Sequence, residues 1–149
     1  NPDVYLDENV LRMLGNFRSS FARLALQLIA ENKKDSARTT IEKCLEVIPD
    51  KVVPYNIYNV LLVEAYYQLG DTAKAVTMSK DIVANVDQDM NYFLSLGRKY
   101  SEYLIYEKRV AFYTLDEIRR MANTYKQPEL EKEMEQKLQG YAGSLSVGL

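Results

Sequence analysis

The stretch 65-AYYQLGDTAKAV-76 decides the fold of this chain. Two tyrosines lead into Gly70 and Asp71, and alanines recur in the residues that follow. Glycine at the end of an apolar run suits the left-handed position that closes a helix. Asp71 or Thr72 can cap the helix that comes next, since short polar side chains bind the free backbone N–H groups there. The stretch therefore predicts two helices joined by a tight turn.

The same marks occur earlier in the chain at a fixed offset of 38 residues. The pairs are Leu24 with Leu62, Leu28 with Tyr66, Asn32 with Gly70, and Ala37 with Ala75. Asn32 and Gly70 fall where a turn needs positive φ, and the two alanines fall where the second helix of each pair crosses close to the first. Such self-similarity is typical of a helical repeat.

The first hairpin has its own start, stop and apolar pattern. Asp7 is the predicted N-cap of its first helix, Gly15 a predicted break in it, and Asp35 the predicted cap of its second helix, which Pro49 ends. Helical spacing predicts a buried face on the first helix made of Val10, Leu14, Phe17, Phe21, Leu24 and Leu28. The second helix is predicted to bury Ala37, Ile41, Cys44, Leu45 and Ile48.

The C-terminal part continues in helices. The fourth helix is predicted to end near Val86, before a turn-like stretch with a short helix. A long helix is predicted over about 99–126, a polar terminal helix over about 128–139, and a frayed tail after it. We expect one helical-repeat domain over residues 1–149, with its two hairpins in about 18–86.

These residues resemble the tetratricopeptide repeat. The first unit supplies Phe21, Leu24, Ala25, Leu28, Ala37, Ile41, Cys44 and Pro49, and the second supplies Leu62, Tyr66, Gly70 and Ala75. The second unit departs from the pattern at Val63, Ser79 and Ile82. The resemblance covers about 18–86 and implies an all-α fold: tetratricopeptide-like helical hairpins, an α-α superhelix, with a long C-terminal helix.

The chain as a whole resembles the C-terminal region of bacterial multi-pass membrane proteins that carry an uncharacterised protein O-mannosyltransferase-like domain. The resemblance lies in VYLDENVLRMLGNFRSSFARLALQLI, YNIYNVLLVEAYYQLGDTAKAV and YFLSLGRKYSEYLIYEKRVAFYTLDEI, in that order. It implies a non-catalytic accessory or protein-interaction module, cut from a longer chain and placed on the extracytoplasmic, periplasmic side of the inner membrane. Its partner would be a protein or peptide, such as the membrane portion of its own parent chain. The alternative is a free-standing tetratricopeptide adaptor that binds a peptide in its concave groove.

Composition narrows the function classes. The net charge of −2 gives no electrostatic reason to expect nucleic acid, and no apolar run approaches the roughly 20 residues that cross a bilayer. Cys44 is the only cysteine, and the chain has no histidine, which removes the usual general base and the commonest metal ligand. We therefore expect no enzyme activity, no catalytic residue, no cofactor and no metal site in this chain.

The candidate binding residues lie on the helix of the opening stretch. Val60, Glu64, Tyr67 and Gln68 are spaced by one or two turns, which places them on one side of that helix, at positions that line the groove of a tetratricopeptide unit. Tyr66 is assigned to the core and Tyr67 to the groove. The favoured alternative is packing, with the last long helix of the chain folded across the groove. Glu64 is a candidate acid, for which pairing or a groove-facing position is the favoured alternative.

Basic residues form the remaining candidates, since guanidinium forks suit phosphate or carboxylate. They are Arg12, Arg18, Arg23, Arg98, Lys99, Lys108, Arg109, Arg119 and Arg120. Acidic residues stand within one or two turns of the later ones, namely Glu102, Glu107, Asp116 and Glu117. Ion pairs within the chain are therefore the favoured interpretation of that later set.

Overall fold

The computed structural model describes residues 7–96, 100 and 103–145, and helices make up most of them. Within these ranges there is no β-strand, so the predicted all-α class is confirmed. The helices are α1 (Glu8–Ala30), α2 (Lys34–Val47), α3 (Val60–Leu69), α4 (Thr72–Ser95), α5 (Ile105–Thr124) and α6 (Pro128–Leu145), with a 3₁₀ turn at Ile57–Asn59. None of the helices in these ranges is both long and apolar enough to cross a lipid bilayer.

Backbone contacts divide the chain into two compact units, Asn1–Ile82 and Val83–Leu149. We call them the N-terminal and C-terminal units. In the first, α1 packs against α2, α3 and the 3₁₀ turn, and in the second, α5 packs against α6. The single repeat domain over 1–149 and the tetratricopeptide arrangement of the hairpins stay predictions.

Helix α1 begins as its sequence predicts. The Oδ1 atom of Asp7 accepts a hydrogen bond of 3.0 Å from the backbone N–H of Val10, which satisfies one of the free donors of the first turn. Glu8 follows at the positive end of the helix dipole. The predicted break at Gly15 is wrong, because α1 runs without interruption from Glu8 to Ala30.

The buried face of α1 differs from the predicted one. It consists of small residues and one arginine: Gly15, Arg18, Ser19, Ala22 and Ala25. Of the predicted face, Phe17 and Leu24 are about half exposed, at 51% and 50%, and Val10, Leu14, Phe21 and Leu28 are intermediate. Small side chains let neighbouring helices approach closely, so the closest contact falls on the small residues and the large ones lie at its sides.

Gly15 is where α1 meets an aromatic ring. A Cβ atom added at Gly15 would stand 2.8 Å from Cε2 and 2.9 Å from Cγ of Tyr58. Real Cβ atoms do not come this close to a ring atom, so a side chain at this position would push Tyr58 out of its place. Glycine has poor helix propensity, but at position 15 its missing side chain leaves room for the Tyr58 ring.

We expect Gly15→Ala to lower the free energy of unfolding by about 1–2 kcal/mol. Overpacking of this kind costs ~1–3 kcal/mol, and the better helix propensity of alanine returns up to ~1 kcal/mol. Urea denaturation measures the change. Gly140→Ala in α6 is the matched control, because a Cβ there meets nothing within 4 Å and should be neutral or stabilising. A Gly15→Ala variant as stable as Gly140→Ala would contradict the contact.

The turn between α1 and α2 follows the prediction at one residue and departs from it at another. Asn32 takes the left-handed conformation with φ of 59°, as the repeat pattern requires. The predicted cap Asp35 is wrong, since α2 begins at Lys34 and its N-cap, Lys33, makes no side-chain capping bond. Of the predicted buried face, Leu45 alone is intermediate; the buried residues are Ala37, Ile41, Cys44 and Ile48.

Helix α3 ends at the glycine of the opening stretch. Gly70 has φ of 82°, its N–H donates to the carbonyl of Tyr67, and the N–H of Asp71 donates to the carbonyl of Tyr66. This pair of bonds closes the helix and turns the chain into α4, as predicted. Ala75 follows at 0% exposure, which suits a residue chosen for its small size.

Two helices, α4 and α6, are longer than predicted. Helix α4 continues to Ser95 instead of ending near Val86, and α6 continues to Leu145 instead of about 139. Helix α5 covers Ile105–Thr124 of the predicted 99–126, while 97–99 and 101–102 lie outside the described residues. Asp87 of α4 accepts hydrogen bonds from Lys137 and from the hydroxyl of Tyr141 on α6, the second at 2.8 Å.

Candidate functional site

The candidate site in the N-terminal unit is built on a buried arginine. The side chain of Arg18 is 0% exposed, and it binds carbonyl oxygens where a carboxylate partner would be usual. Its Nη2 donates to the carbonyls of Ile48 at 2.9 Å and Val53 at 2.6 Å, and its Nη1 donates to that of Pro54 at 3.4 Å. The oxygen of the Asn59 side chain accepts a further bond of 3.4 Å from Nη1. Arg18 thus fixes the loop between α2 and the 3₁₀ turn.

The same arginine positions an aromatic ring. The Cζ atom of Arg18 lies 5.1 Å from the centre of the Tyr55 ring, a distance at which a guanidinium and a ring attract each other. Burial lowers the pKa of Arg18, yet a guanidinium stays protonated in proteins. Burial also raises the pKa of Tyr55, and the nearby carboxylates of Asp50 and Asp81 raise it further.

Tyr55 forms one wall of a cleft of about 320 Å³. The cleft is open to solvent and takes its walls from α2, the loop, α3 and α4. Its lining residues are Leu45, Tyr55, Tyr66, Ala73, Lys74, Thr77, Met78 and Asp81. Apolar side chains, aromatic rings and two opposite charges therefore line one shallow, open depression.

Tyr66 and Lys74 meet in this cleft. The ammonium of Lys74 lies 5.8 Å from the centre of the Tyr66 ring, within the range of a cation–π contact. Burial raises the pKa of Tyr66 to about 12, with smaller contributions from Tyr55, Asp71 and Glu42. The hydroxyl therefore stays neutral at physiological pH and can donate or accept a hydrogen bond.

The raised pKa of Tyr66 predicts a loss of stability in alkali. A tyrosine in the unfolded chain ionises near pH 10, whereas Tyr66 in the fold holds its proton to about pH 12. Between these values the unfolded state alone releases the proton, so stability falls as pH rises from about 10 to 12. The loss from this group is roughly 2–3 kcal/mol at most. Denaturation at several pH values measures it, and Tyr66→Phe should show a shallower decline over the same range; an identical decline would contradict the assignment.

The four predicted binding residues do not form an open surface. Tyr67 is 5% exposed and Val60 is 8% exposed, which agrees with the packing alternative. The binding role of the four residues stays a prediction. Glu64 is half-buried, and its Oε1 accepts a hydrogen bond of 3.2 Å from Nε2 of the exposed Gln68. The structure brings these two polar side chains together. Tyr66, which the sequence assigns to the core, is buried and also lines the cleft.

The predicted ion pairs of the later basic residues are confirmed for Arg119 and Arg120 on α5, while Arg98, Lys99 and Glu102 lie outside the described residues. Arg119 binds Asp116 at 2.9 Å and Arg120 binds Glu117 at 2.8 Å. Arg109 has no such partner among the described residues and stands between two exposed tyrosines, Tyr106 at 74% and Tyr113 at 57% exposure. Exposed tyrosine and arginine side chains are enriched in protein interfaces.

Within the part of the chain that the structure describes, no three His, Cys, Asp or Glu side chains lie close enough together to hold a metal ion. Comparison of the chain with protein-family models, with curated proteins and with solved structures finds no match. The cleft geometry is therefore the starting point for a functional proposal.

Proposed function

We propose that this chain is a non-catalytic protein-interaction module that holds a segment of a partner protein in the cleft between α2, α3 and α4. The observation that carries the proposal is the cleft itself, whose aromatic walls Tyr55 and Tyr66 face a volume of about 320 Å³. The buried Arg18 holds one of these walls in place before any ligand arrives. A preformed pocket of this kind loses little conformational freedom on binding.

A photo-crosslinking amino acid at position 77 tests this proposal. Thr77 is exposed and lines the cleft, whereas Ser36, at the start of α2, is exposed outside the cleft lining. We expect a defined crosslinked product in the native host from position 77 and none from position 36. Equal products from both positions, or none from either, would remove the support for a partner in the cleft.

The resemblance to membrane glycosyltransferase-like proteins suggests the setting of the module. We propose that it is the accessory C-terminal region of such a protein, with a free-standing tetratricopeptide-type adaptor as the second candidate. The crosslink from position 77 separates them. A crosslink to membrane-spanning segments of the same polypeptide, located by peptide mapping, supports the accessory role, and a product with a separate soluble protein supports the adaptor.

The proposal also predicts that the isolated chain has no intrinsic transferase or hydrolase activity. The absence of histidine in the sequence leaves no ordinary general base at neutral pH. Assays with sugar-phosphate and ester substrates should show no turnover above buffer. Turnover that a single substitution in this chain abolishes would overturn the non-catalytic assignment.

A further inference from the structure

The chemical class of the ligand follows from the positive charges that already lie against the aromatic rings of the cleft. Each of its two tyrosine rings makes a cation–π contact with a side chain of the same protein. The guanidinium of Arg18 lies 5.1 Å from the centre of Tyr55, and the ammonium of Lys74 lies 5.8 Å from the centre of Tyr66. The negative face of an aromatic ring attracts cations in this geometry.

The two cations differ in how firmly they are held. Arg18 is 0% exposed and its donors are bound to carbonyl oxygens, so it is a fixed part of the wall. Lys74 is exposed and makes no hydrogen bond or ion pair with a described residue. Its flexible side chain can therefore leave the ring at low cost, and the ring face of Tyr66 can take another cation.

Carboxylates give the cleft its counter-charge. Asp81 lies two turns after Lys74 on α4, lines the cleft, is exposed, and has no ion-pair partner among the described residues. Asp50 and Asp81 act on the hydroxyl of Tyr55, and Glu42 and Asp71 act on that of Tyr66. Asp71 is already paired with Arg38 at 3.2 Å. Asp81 is therefore the carboxylate of the cleft lining that favours a cationic ligand over an anionic one.

We propose that the cleft binds a lysine or arginine side chain of the partner segment, with its cation on the Tyr66 ring in the place of Lys74 and with Asp81, in the same lining, as its counter-charge. This inference rests on the proposed function, to which it adds the chemistry of the partner. The stem of the bound side chain lies along Leu45 and Met78, which supply the apolar part of the lining. Lys74 is then an intramolecular competitor for the site.

The test uses blocked single amino acids as probes and nuclear magnetic resonance titration of the intact chain as the readout. N-acetylarginine amide and N-acetyllysine amide carry the proposed side chains, N-acetylnorleucine amide is the neutral control, and N-acetylglutamate amide is the anionic control. We expect the two cationic probes to perturb resonances of Thr77 and Met78 at lower concentrations than either control does.

Variants of the two charged lining residues sharpen the test. Lys74→Met keeps the length of the stem and removes the competing charge, so the arginine probe should bind about two- to fivefold more tightly. Asp81→Asn should weaken it about two- to fivefold, the range expected for an exposed charge pair. Asp35→Asn removes the same charge from an exposed position outside the cleft lining and should leave binding unchanged.

Three outcomes would contradict the inference and leave the proposed function standing. Weaker binding in Lys74→Met together with a preference for the glutamate probe would overturn the inference in favour of an anionic ligand. Equal binding of the norleucine and arginine probes would also overturn it. In either case a crosslink from position 77 would still support the proposed function. If no probe perturbs the cleft although position 77 forms a crosslink, the inference alone fails.

Discussion

Replacing Arg18 by methionine should lower the free energy of unfolding by about 3 kcal/mol or more. Methionine keeps the apolar stem but leaves the carbonyls of Ile48, Val53 and Pro54 without the donors that now satisfy them. A buried polar group left without a partner costs roughly 1–3 kcal/mol, and three such groups are affected. Chemical denaturation of the purified variant gives the value.

Two further variants separate the causes of this loss. Arg18→Lys keeps the positive charge but offers a single ammonium in place of the planar fork, so we expect a loss close to that of Arg18→Met. Arg12→Met removes an exposed arginine from the same helix and should change stability by less than about 0.5 kcal/mol. If Arg18→Met were as stable as Arg12→Met, the carbonyl contacts would contribute nothing to folding.

Tyr66→Ala and Tyr67→Ala should each destabilise the N-terminal unit by about 3–5 kcal/mol. The two neighbouring rings are 6% and 5% exposed, and truncation of a buried aromatic side chain leaves a cavity of its own size. Gln68→Ala is the control, because Gln68 is exposed and its one hydrogen bond, to Glu64, lies at the surface. Thermal melts of the three variants provide the comparison.

This pair of variants also decides what the helix of the opening stretch does. Equal losses of stability would mean that both tyrosines serve packing. Ligand contacts on this helix would then come from the part of Tyr66 that lines the cleft. A Tyr67→Ala variant with normal stability and weakened partner binding would instead support the predicted binding surface of Val60, Glu64, Tyr67 and Gln68.

The sequence predicts several local features of the fold, because their physics is local, although it misplaces a break at Gly15 and a cap at Asp35. The cap at Asp7 and the left-handed residues at Asn32 and Gly70 depend on a few neighbouring backbone groups. Those groups have the same needs in any protein, so residue type and spacing identify them at these three positions. The all-α class follows from the same helical periods.

The sequence fails where a contact joins distant parts of the chain. The extension of α4 past Val86 includes Asp87, which binds two side chains of α6 that lie far along the chain. Nothing in the local pattern points to those partners. The predicted face of α1 is wrong because close packing of helices favours small residues, whereas the helical period of large apolar residues points to another side of the helix.

The cleft could not be located from the sequence for a related reason. Its tyrosines come from the loop and from α3, its charges come from α4, and no motif spacing links the three segments. One signal was present: Arg18 lies at helical spacing from Gly15, Ala22 and Ala25. An arginine on a helix face of small residues is predicted to be buried and must find its hydrogen-bond partners inside the protein. This pattern identifies Arg18, the buried residue behind the Tyr55 wall of the cleft.

The hydrogen bonds from Arg18 to the loop change how that loop takes part in unfolding. A connection between helices ordinarily opens on its own and tolerates inserted residues. Here the carbonyls of Ile48, Val53 and Pro54 converge on one guanidinium from α1. The loop therefore belongs to the same cooperative unit as α1, and its backbone amides should exchange with solvent only when that helix opens. Inserted residues should therefore be tolerated at the Asn32 turn more readily than in this loop.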